Sequence, residues 1–204
     1  MHVLHSLADE PLDACLRGDE FFWLALQEPT DDEIRAVGRR FGLHPLAVED
    51  SIEFGQRPKL DDYGETALMV FYGVAEGGEL VEVHLHLSGS WMVTIKHHEA
   101  ETLAHAADRV QREHPRTEEE AIYRVLDALT DSFFPALERV DDQIDALMDQ
   151  MMERPNQEQR QELFALRRHL VDLRRVAGPQ RDMLARGSDL LGNLPGLEAD
   201  DARD

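Results

Sequence analysis

Asp141-Asp142-Gln143-Ile144-Asp145 sets three carboxylates on successive turns of a helical stretch, the Asp-Asp-x-x-Asp spacing that can hold Mg2+ and, through it, a diphosphate. Arg167, Arg168, Arg174 and Arg175 could face the phosphates of such a ligand. A second constellation lies upstream. Val81-Glu82-Val83-His84-Leu85-His86-Leu87 alternates at period two, so His84 and His86 share one strand face. They could bind a borderline metal such as Zn2+ if His97 or His98 supplied a third ligand. Each constellation has a plainer reading. Carboxylates four residues apart crowd the solvated side of a helix, and two imidazoles suit the polar face of a half-buried strand. The sequence holds no Gly-x-Ser-x-Gly, no phosphate-binding glycine loop ending in Lys-Ser/Thr, no His-Glu-x-x-His and only one cysteine, Cys15. The expectation is therefore a chain that is not an enzyme, with a helical Mg2+-diphosphate-binding enzyme and a soluble acidic interaction module as alternatives.

The aspartate motif sits in the longest helical pattern of the chain, from Thr117 to about Arg186. Ile122, Leu126, Leu129, Phe133, Leu137, Val140, Ile144, Leu147 and Met151 recur at steps of three or four, one apolar stripe of a helix. Thr117-Glu118-Glu119-Glu120 has the form of a capping box at its start. Asp127, Asp131, Glu138, Asp141, Asp142, Asp145 and Asp149 fill the other face. Pro135 lies inside this helix, where its missing N–H and its clash with the carbonyl of Asp131 predict a kink. Pro155 breaks the pattern, and a second stripe follows of Leu163, Leu166, Leu170, Leu173 and Ala177 among arginines. Two such helices joined near Pro155 predict an antiparallel hairpin.

The histidine strand belongs to a compact head. A weak strand is predicted at 1–5 and a buried one at 21–26. Thr30-Asp31-Asp32-Glu33 opens a helix that turns Ile34, Val37 and Phe41 inward and ends near Gly42. Residues 44–52 read as a short helix with Pro45 in its first turn and Glu49 and Asp50 on its later turn. A loop through 55–59 precedes three strands at 66–75, 79–87 and 91–96, an antiparallel meander with turn residues between them, and a helix at 99–113 covers it. The predicted fold is an α/β head of residues 1–115, with a mixed, largely antiparallel sheet of four or five strands and flanking helices. A long antiparallel helical hairpin over 116–192 and an acidic tail over 193–204 follow.

Composition narrows the partners. With 42 acidic against 21 basic residues the formal charge is −21, which argues against nucleic acid and for cations or basic partners. The N-terminus lacks the pattern of a signal peptide, and no apolar run approaches the about 18–20 residues of a membrane helix, so the stretch reads as soluble.

Several segments, in this order, resemble the cytoplasmic part of CorA-type divalent-cation transporters, the family that includes the zinc-transporting ZntB proteins. They are Trp23-Leu24-Ala25-Leu26 with Pro29; Phe41-Gly42-Leu43-His44-Pro45-Leu46-Ala47-Val48-Glu49-Asp50; Arg57-Pro58-Lys59; Asp127-Ala128-Leu129-Thr130-Asp131; Leu137 through Asp145; and Leu166-Arg167-Arg168 with Leu173-Arg174-Arg175 and Pro179. The resemblance covers roughly residues 20–192. It implies a cytoplasmic regulatory domain that senses the Mg2+, Co2+ or Zn2+ transported by the full-length protein, a homopentamer at the cytoplasmic face of the cell membrane. It also implies a stalk helix and two membrane helices with a Gly-Met-Asn signature, none of which is among these 204 residues, so this stretch alone could not transport. Matched residue by residue, the implied metal ligands are Asp50 with Glu49 beside it and, from a neighbouring copy, Asp127.

Overall fold

A six-stranded sheet in the order β1-β2-β6-β5-β4-β3 runs through the computed structural model. The structure describes residues 2–191 apart from residues 9, 10, 19, 98–100, 114, 116, 154 and 155. The strands are β1 His2–Leu4, β2 Phe22–Gln27, β3 Lys59–Asp62, β4 Ala67–Val74, β5 Leu80–Leu87 and β6 Trp91–Lys96. The helices are α1 Pro11–Cys15, α2 Asp31–Phe41, α3 Pro45–Ile52, α4 Glu101–Glu113, α5 Glu118–Asp131, α6 Phe133–Glu153 and α7 Gln157–Leu191. β3 to β6 pair antiparallel as a meander, while β1 with β2 and β2 with β6 pair parallel. The mixed, largely antiparallel sheet is the one predicted, with a sixth strand. β3, Lys-Leu-Asp-Asp, begins at the end of the segment read as a loop. Its single apolar residue gives no alternation to detect, and an edge strand needs none.

Alternation along the strands sorts the core into two faces. On one, Trp23, Met69, Phe71, Val83, Leu85 and Met92 pack under α4 and α5 through Leu103, Val110, Ile122, Val125 and Leu129. On the other, Phe22, Leu24, Val93 and Ile95 pack under α2 through Ile34, Val37 and Phe41, with Val48 and Ile52 of α3 alongside. The far end of that second face, Val70, Tyr72 and Val74, is covered by Phe133 and Ala136 of α6 and Leu173 and Val176 of α7.

The chain therefore crosses from one face of the sheet to the other between Leu129 and Phe133. Ser132 is the hinge of that crossing: α5 ends before it and α6 begins after it. The kink predicted from Pro135 falls three residues earlier, because proline is tolerated in the first turn of a new helix and its i−4 position is Asp131, the last residue of α5. Thr30 and Glu33 form the predicted reciprocal cap, and Thr117 Oγ1 accepts from the Glu120 amide at 3.2 Å. The turn around Pro155 lies outside the described residues, as does the tail 193–204. Asn156 and Gln159 cap the start of α7 reciprocally at 2.9 Å.

The seam between α6 and α7 is narrower than the predicted stripes. Val140, Leu147 and Leu166 are buried in it, with Ile144, Met151 and Leu170 at its margin, but Leu137 and Leu163 are 42% and 43% exposed. Ala177 is also exposed, and burial continues instead through Val176, Gln180 and Met183. A two-helix contact has room for one narrow row, so the outer members of an apolar stripe stay in water.

Candidate functional site

Asp50 lies on the last turn of α3, beside the loop 53–57 and the start of β3. Helix α3 is fixed at both ends. His44 caps it, Nδ1 accepting from the Leu46 amide at 3.2 Å, and Pro45 supplies the first turn. At the other end, the Ser51 hydroxyl donates to the Ala47 carbonyl at 2.9 Å and so must accept from His86 Nε2 at 2.8 Å, which puts the His86 proton on Nε2. Gly38 of α2 lets α3 approach closely, since a Cβ there would stand 2.5 Å from Val48 Cγ2.

The Asp50 carboxylate is held from two sides. Lys59 Nζ meets Oδ2 at 2.6 Å and also reaches Asp61 Oδ2 at 2.9 Å. Gln56 Nε2 donates to Oδ1 at 3.2 Å and to the Asp50 carbonyl at 2.8 Å. Burial disfavours the Lys59 charge, but the hydrogen bonds and charges of Asp50 and Asp61 outweigh it and raise its pKa. Glu49 is exposed on the same turn. Asp127 is half-buried on α5, and its charge is one of those that raise the pKa of Arg124, after the Glu120 hydrogen bond. Because α3 covers one face of the sheet and α5 the other, a single chain brings Asp50 and Glu49 together and keeps Asp127 apart from them. Among the described residues no group of three or more His, Cys, Asp or Glu side chains is placed to hold a metal ion.

The histidine strand differs from both sequence readings. β5 is buried on both faces, so Glu82, His84 and His86 point into packed protein rather than along a half-exposed surface. Glu82 is the centre of this layer. Its carboxylate accepts from the Gly55 amide at 2.6 Å, the Gln56 amide at 3.1 Å, the Tyr72 hydroxyl at 2.9 Å and His84 Nε2 at 2.7 Å. Burial alone would raise its pKa, but the bonds from His84, Gly55 and Gln56 hold it below the usual carboxylate range. His84 stacks on Phe54 at 4.4 Å, and its buried Nδ1 has no hydrogen-bond partner among the described residues. Burial, then the neighbouring His84, lowers the pKa of His86 to about 3. Both Nε2 atoms are committed to protein partners, His97 packs edge-on against Phe54 and joins no three-ligand group among the described residues, and His98 lies outside them, so the zinc reading gains no third ligand here.

Glu82 and Gln56 are residues that sequence reasoning missed as parts of the site. The backbone of Gln56 hangs on Glu82 while its side chain grips Asp50, so a buried carboxylate positions the loop beside α3. The only sequence sign was a charged residue at a core position of an alternating strand.

Asp141, Asp142 and Asp145 are all exposed on α6. The cavity of about 340 Å³ beside that helix is lined by Arg139, Val140, Gln143, Glu162, Leu166 and His169 among others, and by none of the three aspartates. No helix among the described residues is long and apolar enough to cross a membrane.

Residues 18–203 match the family described as CorA-like Mg2+ transporter protein. The chain belongs to that CorA-like family. It is 30% identical over 175 residues to the cobalt/magnesium transport protein CorA of Thermotoga maritima, a match covering 81% of this chain and 49% of that protein. Its fold superposes on the full-length CmaX protein with a TM-score of 0.73 at 26% identity, covering 88% of this chain and 57% of that one. The soluble domain of CorA from Methanocaldococcus jannaschii has the same fold, with a TM-score of 0.70 at 16% identity over 81% of this chain and 69% of that one. The CorA-like chain thus spans about half the length of the curated relatives it matches first. Members of the family are ion transporters, so the CorA-like assignment displaces the enzyme reading of the three α6 aspartates.

Proposed function

We propose that this CorA-like chain is the cytoplasmic cation-sensing part of a divalent-cation transporter subunit, with an α/β head over residues 1–115 and a helical hairpin over 116–192. Asp50, flanked by Glu49, and Asp127 of a neighbouring copy are its metal ligands. The sensed and transported ion is Mg2+, Co2+ or Zn2+, and the transporting assembly is a homopentamer in which this part of each subunit lies at the cytoplasmic face of the membrane. The observation that carries this reading is the frame around Asp50, a half-buried carboxylate held at the rim of the head by Lys59 and Gln56. Its separation from Asp127 by the sheet supports a site shared between copies. Hard divalent ions accept a few carboxylate oxygens and retain water, so two or three such groups suffice. A divalent ion at 100 times its dissociation constant adds about 2.7 kcal/mol to the folded state.

Thermal melts in millimolar Mg2+ or Co2+ should therefore exceed those in a monovalent salt of matched ionic strength. Asp50→Asn and Asp127→Asn should remove the difference, and sedimentation should show cation-dependent self-association only in the wild type. Full retention of the divalent-specific shift in both variants would reduce the acidic surface to a diffuse cation atmosphere.

A further inference from the structure

We propose that Lys59 is a tethered counter-ion that competes with divalent cations for Asp50 and, with Asp61, sets the cation concentration at which Asp50 becomes occupied. The inference rests on Asp50 being a cation ligand and adds the competitor and a second carboxylate. Two oxygens from different elements, Asp50 Oδ2 on α3 and Asp61 Oδ2 on β3, converge on one positive centre at 2.6 and 2.9 Å. Lys59 and Asp61 are two residues apart on β3 and so share a strand face. Gln56 holds the other oxygen of Asp50, which fixes Oδ2 toward the ammonium.

The three side chains are 29%, 27% and 39% exposed, so a hydrated ion can reach the oxygens from solvent. Contacts at this exposure each shift an equilibrium by no more than about fivefold, which leaves the ammonium displaceable. Tethering nevertheless keeps it at high effective concentration, so a dilute cation loses the competition. When a divalent ion wins, the flexible four-carbon stem lets the ammonium swing into water, and both carboxylates are freed for the ion.

The test is calorimetric titration of Mg2+, and separately Co2+, into the whole chain at constant ionic strength. Wild type is compared with Lys59→Met, which keeps the apolar stem, and with Lys59→Gln, each checked for native far-UV circular dichroism. Removing the competitor should tighten divalent binding about threefold or more, and adding Asp61→Asn to Lys59→Met should reverse part of the gain. Unchanged or weaker binding in the folded Lys59 variants overturns the proposal. Asp50→Asn separates the two claims. If it binds like wild type, the Asp50 reading fails and this inference falls with it; if it abolishes binding while the Lys59 variants match wild type, the counter-ion alone is wrong. The wild type supplies a readout independent of the variants: the Lys59 Nζ resonance in nitrogen-15 spectra should move on saturation with Mg2+ but not with NaCl, and a stationary resonance overturns the proposal.

Discussion

Tyr72 and Glu82 stand opposite each other on β4 and β5, and the Tyr72 hydroxyl lies 2.9 Å from Glu82 Oε2 beneath the loop that carries Gln56. The Gln56 carbonyl is a second acceptor within reach of that hydroxyl, whose single proton is shared between the two, so the phenol links the sheet to the loop beside Asp50.

Tyr72→Phe removes one of four donors to a carboxylate that keeps the other three, so it should cost about 1 kcal/mol in urea unfolding. Glu82→Ala leaves the buried His84 imidazole and the amides of Gly55 and Gln56 without their acceptor, and should cost about 2 kcal/mol or more. Equal costs for the two variants would mean that Glu82 is not the centre of the layer.

Acid should destabilise the protein before its surface carboxylates explain it. The pKa of His86 is lowered from 6.5 to about 3 in the folded chain. The unfolded chain therefore binds the extra proton between those values, and stability present above pH 6.5 is lost as pH falls toward 3. The depressed Glu82 carboxyl acts in the same direction, its contribution being lost as pH falls through its folded value. In His86→Gln, whose amide can still donate to Ser51, the slope of stability against pH from 6 to 4 should be shallower by up to about 1.4 kcal/mol per pH unit, the value for one proton. An unchanged slope would remove His86 from the account.

The same layer shows where sequence reasoning stopped. Stripes such as Ile122-Val125-Leu129 and the turn glycines of the meander report the burial of apolar groups, and they yielded four of the strands and every helix except the short α1, which has no such stripe. Glu82, His84 and His86 carry the opposite signal. Polar residues at every second position ordinarily mark a wet face, and only the partners Gly55, Gln56, Tyr72 and Ser51, distant in sequence, make burial tolerable. Asp50 and Glu49 were legible through the family segments around Pro45 and Arg57. Lys59 was legible as part of a motif but not as the partner of Asp50, because that contact depends on how the 53–57 loop folds back.

Gly38→Ala should destabilise the chain by about 1–3 kcal/mol, since the new methyl would stand 2.5 Å from Val48 Cγ2 and push α3 outward. Adding Val48→Ala should restore most of the loss, helped by the better helix propensity of alanine at position 38. Because Val48 is two residues from Asp50, the single variant should also weaken the Mg2+-dependent rise in melting temperature, and the double variant should recover it.

Gln180→Leu should cost about 2 kcal/mol, more than an exposed polar truncation, because the amide is buried and bonded twice to the Tyr72 backbone, accepting from its N–H at 2.8 Å and donating to its carbonyl at 3.1 Å. Thermal or urea unfolding of the variant measures it, and a loss under about 0.5 kcal/mol would show that water replaces the contact.

That glutamine has a consequence for how the sheet ends. β3 pairs with β4 only as far as Val70, so the outer backbone of β4 beyond it meets no strand; Gln180 bonds Tyr72 there, and Ser132 Oγ accepts from the Val74 amide at 2.8 Å. A primary amide offers one donor and one acceptor side by side, a copy of the peptide group it faces. Helix α7 therefore covers a raw strand edge with side chains. Lifting it would turn β4 into a template for strand addition.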